Sequence, residues 1–341
     1  MPHATNSVGS ELLRIQGALR PRTRQVLWFL SFLLPLLAWC ATSYVPWIWH
    51  PLVEVTETGD VSWFTKGMRL ERQAFEKANR AVEASHGVPA RGVPANPVFL
   101  PAPHEVAKAL YTSFATPPRL KEERWLHQEL WRSIQVIFWG FLISSALGVP
   151  LGVLCGAMPS AARLTEPFVE FFRYLPAPAF GALCVAVLGI EQAPKIAIIF
   201  IWTFFQQVLV IANTVRRVEP SLVEAAQTLG ARRRDLLLRV VLPASISDIY
   251  QDQRVLLGWA WTYLIVAELI GTSSGITYFI NLQAKYRQYD NVVAAILIIG
   301  IVGLGTDLVL GWLGRRLFPW RKDAAPLFRR RRPVASAEAL A

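Results

Sequence analysis

Few side chains in this sequence could do chemistry, and those that could lie inside apolar stretches. Glu268 follows Ile265-Val266-Ala267, Arg173 follows Phe171-Phe172, Asp307 interrupts a third run and Gln206-Gln207 a fourth. A polar or ionisable group in such a setting is costly unless it faces protein or a water-filled path. Bond-making chemistry has no support here. There is no H-E-x-x-H, no paired aspartates, no nucleophile constellation and no G-x-x-x-x-G-K-[ST] phosphate loop. Cys40, Cys155 and Cys184 lie in apolar surroundings without paired spacing and read as small buried hydrophobes. His3, His50, His86, His104 and His127 fit no ligand pattern. No catalytic residue, cofactor or metal is therefore expected. What remains is electrostatics along a route, or contact between helices. Glu268 fits either a path or gate role or a packing contact. Arg173, near the end of its run, lines a path or snorkels to the interface. Gln206 is the third path candidate, although Asp307 and both glutamines also fit helix packing. Trp202, Trp259 and Trp261 suit a path lining or a membrane interface.

The elements that must hold these groups are membrane spans. The chain has 341 residues and is 53% hydrophobic, and several segments exceed the roughly 18 apolar residues that a spanning helix needs. Six spans are expected: Val26–Ile48, Ser133–Ala157, Phe168–Ile190, Ile196–Val215, Val255–Ile270 and Val292–Leu313. The fifth starts earlier than its apolar count suggests, near Tyr250. Gly148, Pro150, Gly152, Pro176 and Pro178 inside spans point to a packed bundle, since neighbours re-satisfy the backbone and small residues let helices approach. The first run could pass for a signal sequence, with Arg20, Arg22 and Arg24 ahead of it and Leu37-Ala38-Trp39-Cys40 near a lipoprotein cleavage pattern. Trp39 is too bulky for that site and the apolar character continues to Trp49, so an uncleaved span is expected.

Net charge is +11. The basic residues sit beside the apolar runs and not on one domain face, which argues for membrane orientation and against nucleic acid. With the N-terminus inside, Arg14, Arg20, Arg22, Arg24, Arg163, Arg216, Arg217, Arg232 to Arg234 and Arg239 fall in cytoplasmic segments, and the short outer loops hold only Lys195, Lys285 and Arg287. The organisation is then a cytoplasmic segment 1–25, a first span 26–48, an extracytoplasmic segment 49–130 with amphipathic helices, a permease core 131–320 with five spans and a cytoplasmic loop 216–245, and a basic cytoplasmic tail 321–341. In the extracytoplasmic segment Trp63–Ser85 is helix-prone and stops at His86-Gly87 before Pro89. An extended proline-rich connector follows, and Pro103–Phe114 is amphipathic. These helices are expected along the outer leaflet, with contact to a delivery protein as the other reading. The arginine-rich tail suits attraction to anionic lipid.

Glu224-Ala225-Ala226, Gly230 and Val240-Val241-Leu242-Pro243 lie between two spans. Leu222, Ala225, Ala226 and Leu229 share a helical face, Gly230 supplies a turn, and a second short helix is expected to end at Pro243. The spacing E-A-A-x3-G-x9-V-x-L-P resembles the signature loop of ABC importer permeases. From Phe99 to Arg321 the chain is similar to the nitrate/sulfonate/taurine/bicarbonate branch of that binding-protein-dependent family. Leu100-Pro101-Ala102-Pro103, Gly148-Val149-Pro150-Leu151-Gly152, Arg173 with Pro176 and Pro178, Ala267-Glu268 through Gly271, and Ser273-Ser274-Gly275 carry the likeness. The insertion from His50 to Asn96 departs from it. The resemblance implies an all-α type I permease fold in a bacterial inner membrane, with both termini cytoplasmic. It also implies coupling to ABC ATPase subunits through Glu224, Ala225, Ala226, Gly230, Leu242 and Pro243. The expected partners are a second permease subunit, as a homodimer, and an extracytoplasmic solute-binding protein. ATP hydrolysis is expected in a separate subunit, and the solute to be a small anion. The rival class is a secondary transporter or channel without an ATPase, which leaves the loop unexplained.

Overall fold

The computed structural model describes residues 21–45, 48–117, 124–270 and 274–321. The chain divides into two compact units, one ending at Glu105 and one running from Val106 to Asp323. Most of the expected N-terminal cytoplasmic segment, and the basic tail from residue 322, lie outside the described residues.

The first unit opens with α1 (Pro21–Tyr44), in which only Ser43 is buried. A helix this apolar and this uncovered suits a lipid surround. A small mixed fold follows, where the sequence led us to expect helices alone. Its elements are β1 (Leu52–Glu57), β2 (Arg69–Glu71), α2 (Arg72–Ala84) and β3 (Arg91–Ala95). The sheet is antiparallel in the order β2-β1-β3, and Val53 pairs with both Leu70 and Pro94. Val53 and Val55 alternate inward and meet Val61, Phe64, Phe75 and Ala90 in a separate core. Phe64 and Phe75 stack at 5.6 Å. The Asn79 side chain donates to the Ala90 carbonyl and accepts from its amide, both at 2.9 Å, fastening helix to strand. At the unit's end, Glu105 accepts from the Ala102 amide at 2.8 Å and from Arg69 at 3.0 Å. Burial alone would raise that carboxyl, but the amide and the guanidinium outweigh it and hold it below its ordinary 4.5.

Helix α3 (Pro103–Ala115) carries the amphipathic stretch expected there. The second unit then runs through α4 (Leu126–Ala157), α5 (Pro159–Arg173), α6 (Gly181–Leu188), α7 (Ala193–Arg216), α8 (Pro220–Thr228), the single turn α9 (Arg233–Asp235), α10 (Leu242–Ile270), α11 (Ile276–Lys285) and α12 (Tyr289–Leu317). Its spine is the α4–α7 pair. A Cβ on Gly140 would stand 2.7 Å from Ile199, on Gly148 3.0 Å from Gln207, and on Gly152 2.9 Å from Ile211. These small residues recur every fourth or eighth position, so they form one stripe that lets the two backbones close up. The apolar core spreads outward from the spine through Val136, Ile198, Leu264, Ile276 and Ile298.

Two expected spans come out differently. The third is not one helix: α5 and the stretch from Pro178 through α6 are bent by 85°. Pro176 and Pro178 remove two backbone donors, and Pro176 is extended at ψ 121, so the helix breaks there and resumes as a short 3-10 turn, Ala177–Phe180. The fifth is a continuous 29-residue helix, α10, beginning at Leu242. Among the described residues α1, α4, α7 and α12 are long and apolar enough to cross a membrane, and the bent pair would make a fifth. At 1.5 Å per residue α10 is about 43 Å long, sufficient to cross. Asp248, Asp252, Arg254 and Glu268 lower its apolar content.

Candidate functional site

Between α7 and α10 the chain forms an exposed loop. Pro220 sits in the first turn of α8, where its missing N–H costs nothing. At the other end the Gly230 amide donates to the Gln227 carbonyl at 2.9 Å and the Ala231 amide to Ala226 at 3.0 Å. Gly230 has φ +82, the left-handed conformation such a helix ending requires. No residue of α8 is buried, and Leu229 is 88% and Leu222 48% exposed. Glu224 and Ala225 are exposed beside them, and Ala226 is half-buried. The second half of the loop behaves otherwise. Leu237, Val241 and Leu242 pack on Val153, Ile211 and Val215 of α4 and α7. Pro243 does not end a helix here, contrary to the sequence expectation. It lies in the first turn of α10, entered through a π-helical segment, Leu236–Val241. The wider turn absorbs the donor that proline lacks, so the loop runs into α10 without a break.

A cavity of about 370 Å³ opens between α5, α7 and α10. Arg173, from the end of α5, and Gln206, near the middle of α7, both line it. The Arg173 guanidinium donates to the Tyr174 hydroxyl at 3.2 Å and lies over that ring, and among the described residues it has no carboxylate partner. Gln206 Oε1 is buried without a hydrogen-bond partner. Trp202 stacks on Tyr263 at 3.7 Å and stands 6.2 Å from Trp259, and Phe172 stacks on Phe205 at 5.4 Å; all five rings contribute to the lining. The break after α5 borders the same space through Leu175, and irregular backbone at membrane depth is tolerated where it is buried in protein or lines a water-filled cavity.

Glu268 does not line that cavity. It is buried at the end of α10, where it accepts from the Ser133 hydroxyl of α4 and, at 2.8 Å, from the Thr277 amide in the first turn of α11. Ser133 in turn accepts from the Ile276 amide at 2.9 Å, and Glu129 accepts from the Gly275 amide. The otherwise orphaned donors at the start of α11 are thus met by two acidic side chains and a hydroxyl, with charge of the sign a helix N-terminus favours. Lys195, at the start of α7, donates to the Ser274 carbonyl at 2.6 Å and its hydroxyl at 3.0 Å, and both carboxylates act on it electrostatically. Gly275, at φ +107, has no room for a Cβ beside Glu268. The cluster ties four helices together at one end of the bundle.

Asp307 pairs with Arg254 at 2.8 Å, and Gln207 bonds to Ser145 and Gln253 at 2.9 Å; both link helix to helix. The structure thus brings Arg173 and Gln206 together, and separates Glu268 from them. Glu129, Ser133 and Lys195 were not anticipated as site residues. Lys195 reads as a loop charge in the sequence, yet it is 1% exposed. The one available signal was Glu129 and Ser133 at i,i+4 spacing at the start of an apolar run, which puts two polar groups on one helical face.

Residues 148–319 match the family described as the binding-protein-dependent transport system inner membrane component. A probable ABC transporter permease protein of Brucella abortus (strain 2308) is 35% identical over 58% of this chain and 78% of its own length. The taurine transport system permease protein TauC of Escherichia coli K12 is 31% identical over 67% of this chain and 82% of its own. A putative aliphatic sulfonates transport permease of Bacillus subtilis (strain 168) is 32% identical over 58% and 73%. In fold, the chain is similar to a chain of the inward-facing MetNI methionine ABC transporter, with TM-score 0.50 and 17% identity over 57% of this chain and 95% of that one.

Proposed function

Since the chain belongs to the binding-protein-dependent transport system inner membrane component family, we propose that it is the permease subunit of an ATP-driven importer. In this reading α8 docks on a cytoplasmic ATPase, the cavity between α5, α7 and α10 is part of the solute's route, and both chain termini face the cytoplasm. Two ATPase subunits, a second copy of this chain and an external solute-binding protein complete the machine. The solute is a small anion, in keeping with the taurine and sulfonate permeases it resembles. Hydrolysis belongs to the partner.

One observation carries the proposal. The uncovered helix α8 is joined through a packed π segment to α10, and α10 itself contributes Trp259, Thr262 and Tyr263 to the cavity wall. A push on α8 therefore passes through the turn at Gly230 and from Arg233 onward runs along one continuous helical path to the cavity. Gly230 is the joint. Substituting valine would place a β-branched residue at φ +82, at a cost of about 1–2 kcal/mol to a conformation the loop needs. The test is ATP hydrolysis and solute uptake by the complete complex in vesicles. Gly230→Val should insert in the membrane normally and lose transport-linked hydrolysis. Wild-type uptake by this variant would rule out the loop as the coupling element.

A further inference from the structure

We infer that α12 is a splint for the inner half of α10, and that Asp248, Tyr250, Arg254, Asp307 and Arg321 are positioning residues for transport, carrying a displacement of the loop to the cavity wall. This rests on the permease reading above and adds to it the residues through which coupling passes.

Distance sets the problem. Leu242 begins α10, and Trp259 is the first residue of α10 on the cavity wall. They are 17 residues apart (259 minus 242), about 26 Å of helix. That stretch is entered through a π-helical segment, the kind of place where helices bend. It also holds Asp248, Asp252 and Arg254, and charges inside a span need partners.

α12 and the residues just after it meet this stretch at three heights. At the base, Arg321 donates to the Ser247 carbonyl at 2.8 Å and pairs with Asp248 at 2.6 Å. Next, the Tyr250 hydroxyl donates to the Leu310 carbonyl at 2.8 Å. Higher still, Arg254 pairs with the Asp307 carboxylate at 2.8 Å and donates to its carbonyl at 3.3 Å. Two glycines of α12 form the seats. A Cβ on Gly314 would stand 2.7 Å from the Tyr250 ring, and one on Gly311 2.9 Å from the Arg254 guanidinium. Tyr250 and Arg254 are four residues apart and the two glycines three, so one face of each helix is involved.

Toward α7 and α4 the ties are of another kind. Asp252 accepts from Thr214, and Gln253 accepts from Ser145 at 3.0 Å and Gln207 at 2.9 Å, while Gln253 Nε2 is buried without a partner. Among the described residues the ion pairs of α10 run to Asp307 and Arg321, and none to α7. Charge-assisted pairs hold a geometry that neutral amides and hydroxyls, able to trade partners, do not. α12 therefore follows α10 when the loop moves and stiffens the length over which the movement travels.

The experiment uses the permease–ATPase complex in lipid nanodiscs. Thr262→Cys puts a thiol on the cavity wall, and a charged maleimide reads its labelling rate without nucleotide and after trapping with ATP and vanadate. Labelling of the native cysteines, measured without that substitution, is subtracted. With the ties intact, trapping should change the rate at least about fivefold. In Arg254→Asp or Asp307→Arg, hydrolysis should persist while the change falls below about twofold, and the double exchange should restore it. Loss of packing alone would not be repaired by exchanging the charges. Tyr250→Phe keeps the ring on Gly314 and loses only the hydroxyl tie; it should reduce the change about twofold, and it decides the matter if the charge variants do not insert. A full rate change in these variants, or a double exchange that restores nothing, overturns the splint. The same data separate the two readings. If the wild-type ties give no rate change on trapping, the coupling reading itself fails; if they do and the variants match them, only the splint fails.

Discussion

Buried Glu268 behaves differently from the exposed Arg173 and the half-buried Gln206 of the same bundle. Its carboxylate has two protein donors and a nearby ammonium, whereas Arg173, on the cavity lining, has no carboxylate partner among the described residues and Gln206 Oε1 has no hydrogen-bond partner. A satisfied group holds structure; an exposed guanidinium without a carboxylate partner is available to a ligand. Glu268→Ala should therefore leave Ser133, the Thr277 amide and Lys195 short of a partner, and lower stability by about 3–5 kcal/mol. Glu268→Gln keeps one acceptor and should cost about 1–3 kcal/mol. Arg173→Ala should leave thermal unfolding of the purified complex almost unmoved while uptake falls. Melting curves and uptake measured side by side decide it: an unchanged melting curve for Glu268→Ala together with lost transport would return Glu268 to the path. The sequence exposed that these residues were unusual, since each charge or amide stands among apolar neighbours. It could not say which were partnered. Glu129 and Glu268 are 139 positions apart in the chain (268 minus 129), and only the folded bundle brings them to the same helix N-terminus.

Among the elements, the α4–α7 pair governs the geometry of the site, because α7 carries Gln206 and Trp202 into the cavity. Its close approach depends on glycine. At Gly152 a Cβ would stand 2.9 Å from both the Ile211 side chain and the Val208 carbonyl, and backbone cannot step aside cheaply. Gly152→Ala should destabilise the complex by about 1–3 kcal/mol. Gly258→Ala, on α10 with nothing within 4 Å, is the matched control and should be neutral or slightly stabilising. Equal melting temperatures for the two variants would mean that α4 and α7 do not need the glycine stripe. The same stripe was legible in the sequence as Gly148 and Gly152 inside a span, whereas Pro176 and Pro178 were expected to be tolerated within one continuous span and instead break it. The small sheet was not read. Its first strand announces itself, with Val53 and Val55 alternating with Glu54 and Thr56, but β3 holds Gly92 and Pro94 and looks like a connector. Proline is admitted there because β3 is an edge strand. Strand pairing across 40 residues carries no local periodicity, so a helix-prone α2 between the strands dominated the sequence pattern.

At the scale of the whole molecule, orientation decides what each element can meet. Lys and Arg collect on the cytoplasmic side of short loops, and the loop from Arg216 to Arg239 holds six arginines, Arg216, Arg217, Arg232, Arg233, Arg234 and Arg239. Lys195 no longer counts toward the opposite side, because it is buried among carboxylates and not free in a loop, and its removal sharpens the asymmetry. The proposed orientation has α8 on the ATPase side of the membrane and Glu76 on the other. The same proposed orientation would have the Glu268 cluster at the outer end of the bundle, since α10 runs from the loop toward Ile270. One experiment tests all three placements. Reporter fusions that are active only in the cytoplasm should give signal at Arg233 and none at Glu76, and a periplasm-active reporter should give the reverse. Glu76 suits the purpose because it is exposed on α2 and its bond partner is Arg72 of the same helix, so a fusion there leaves the core of the sheet intact. A cytoplasmic signal at Glu76 would mean that the number of crossings before α4 is wrong. The sheet would then lie beside the ATPase, the Glu268 cluster would close the inner end, and α8 would face the compartment that holds no ATP.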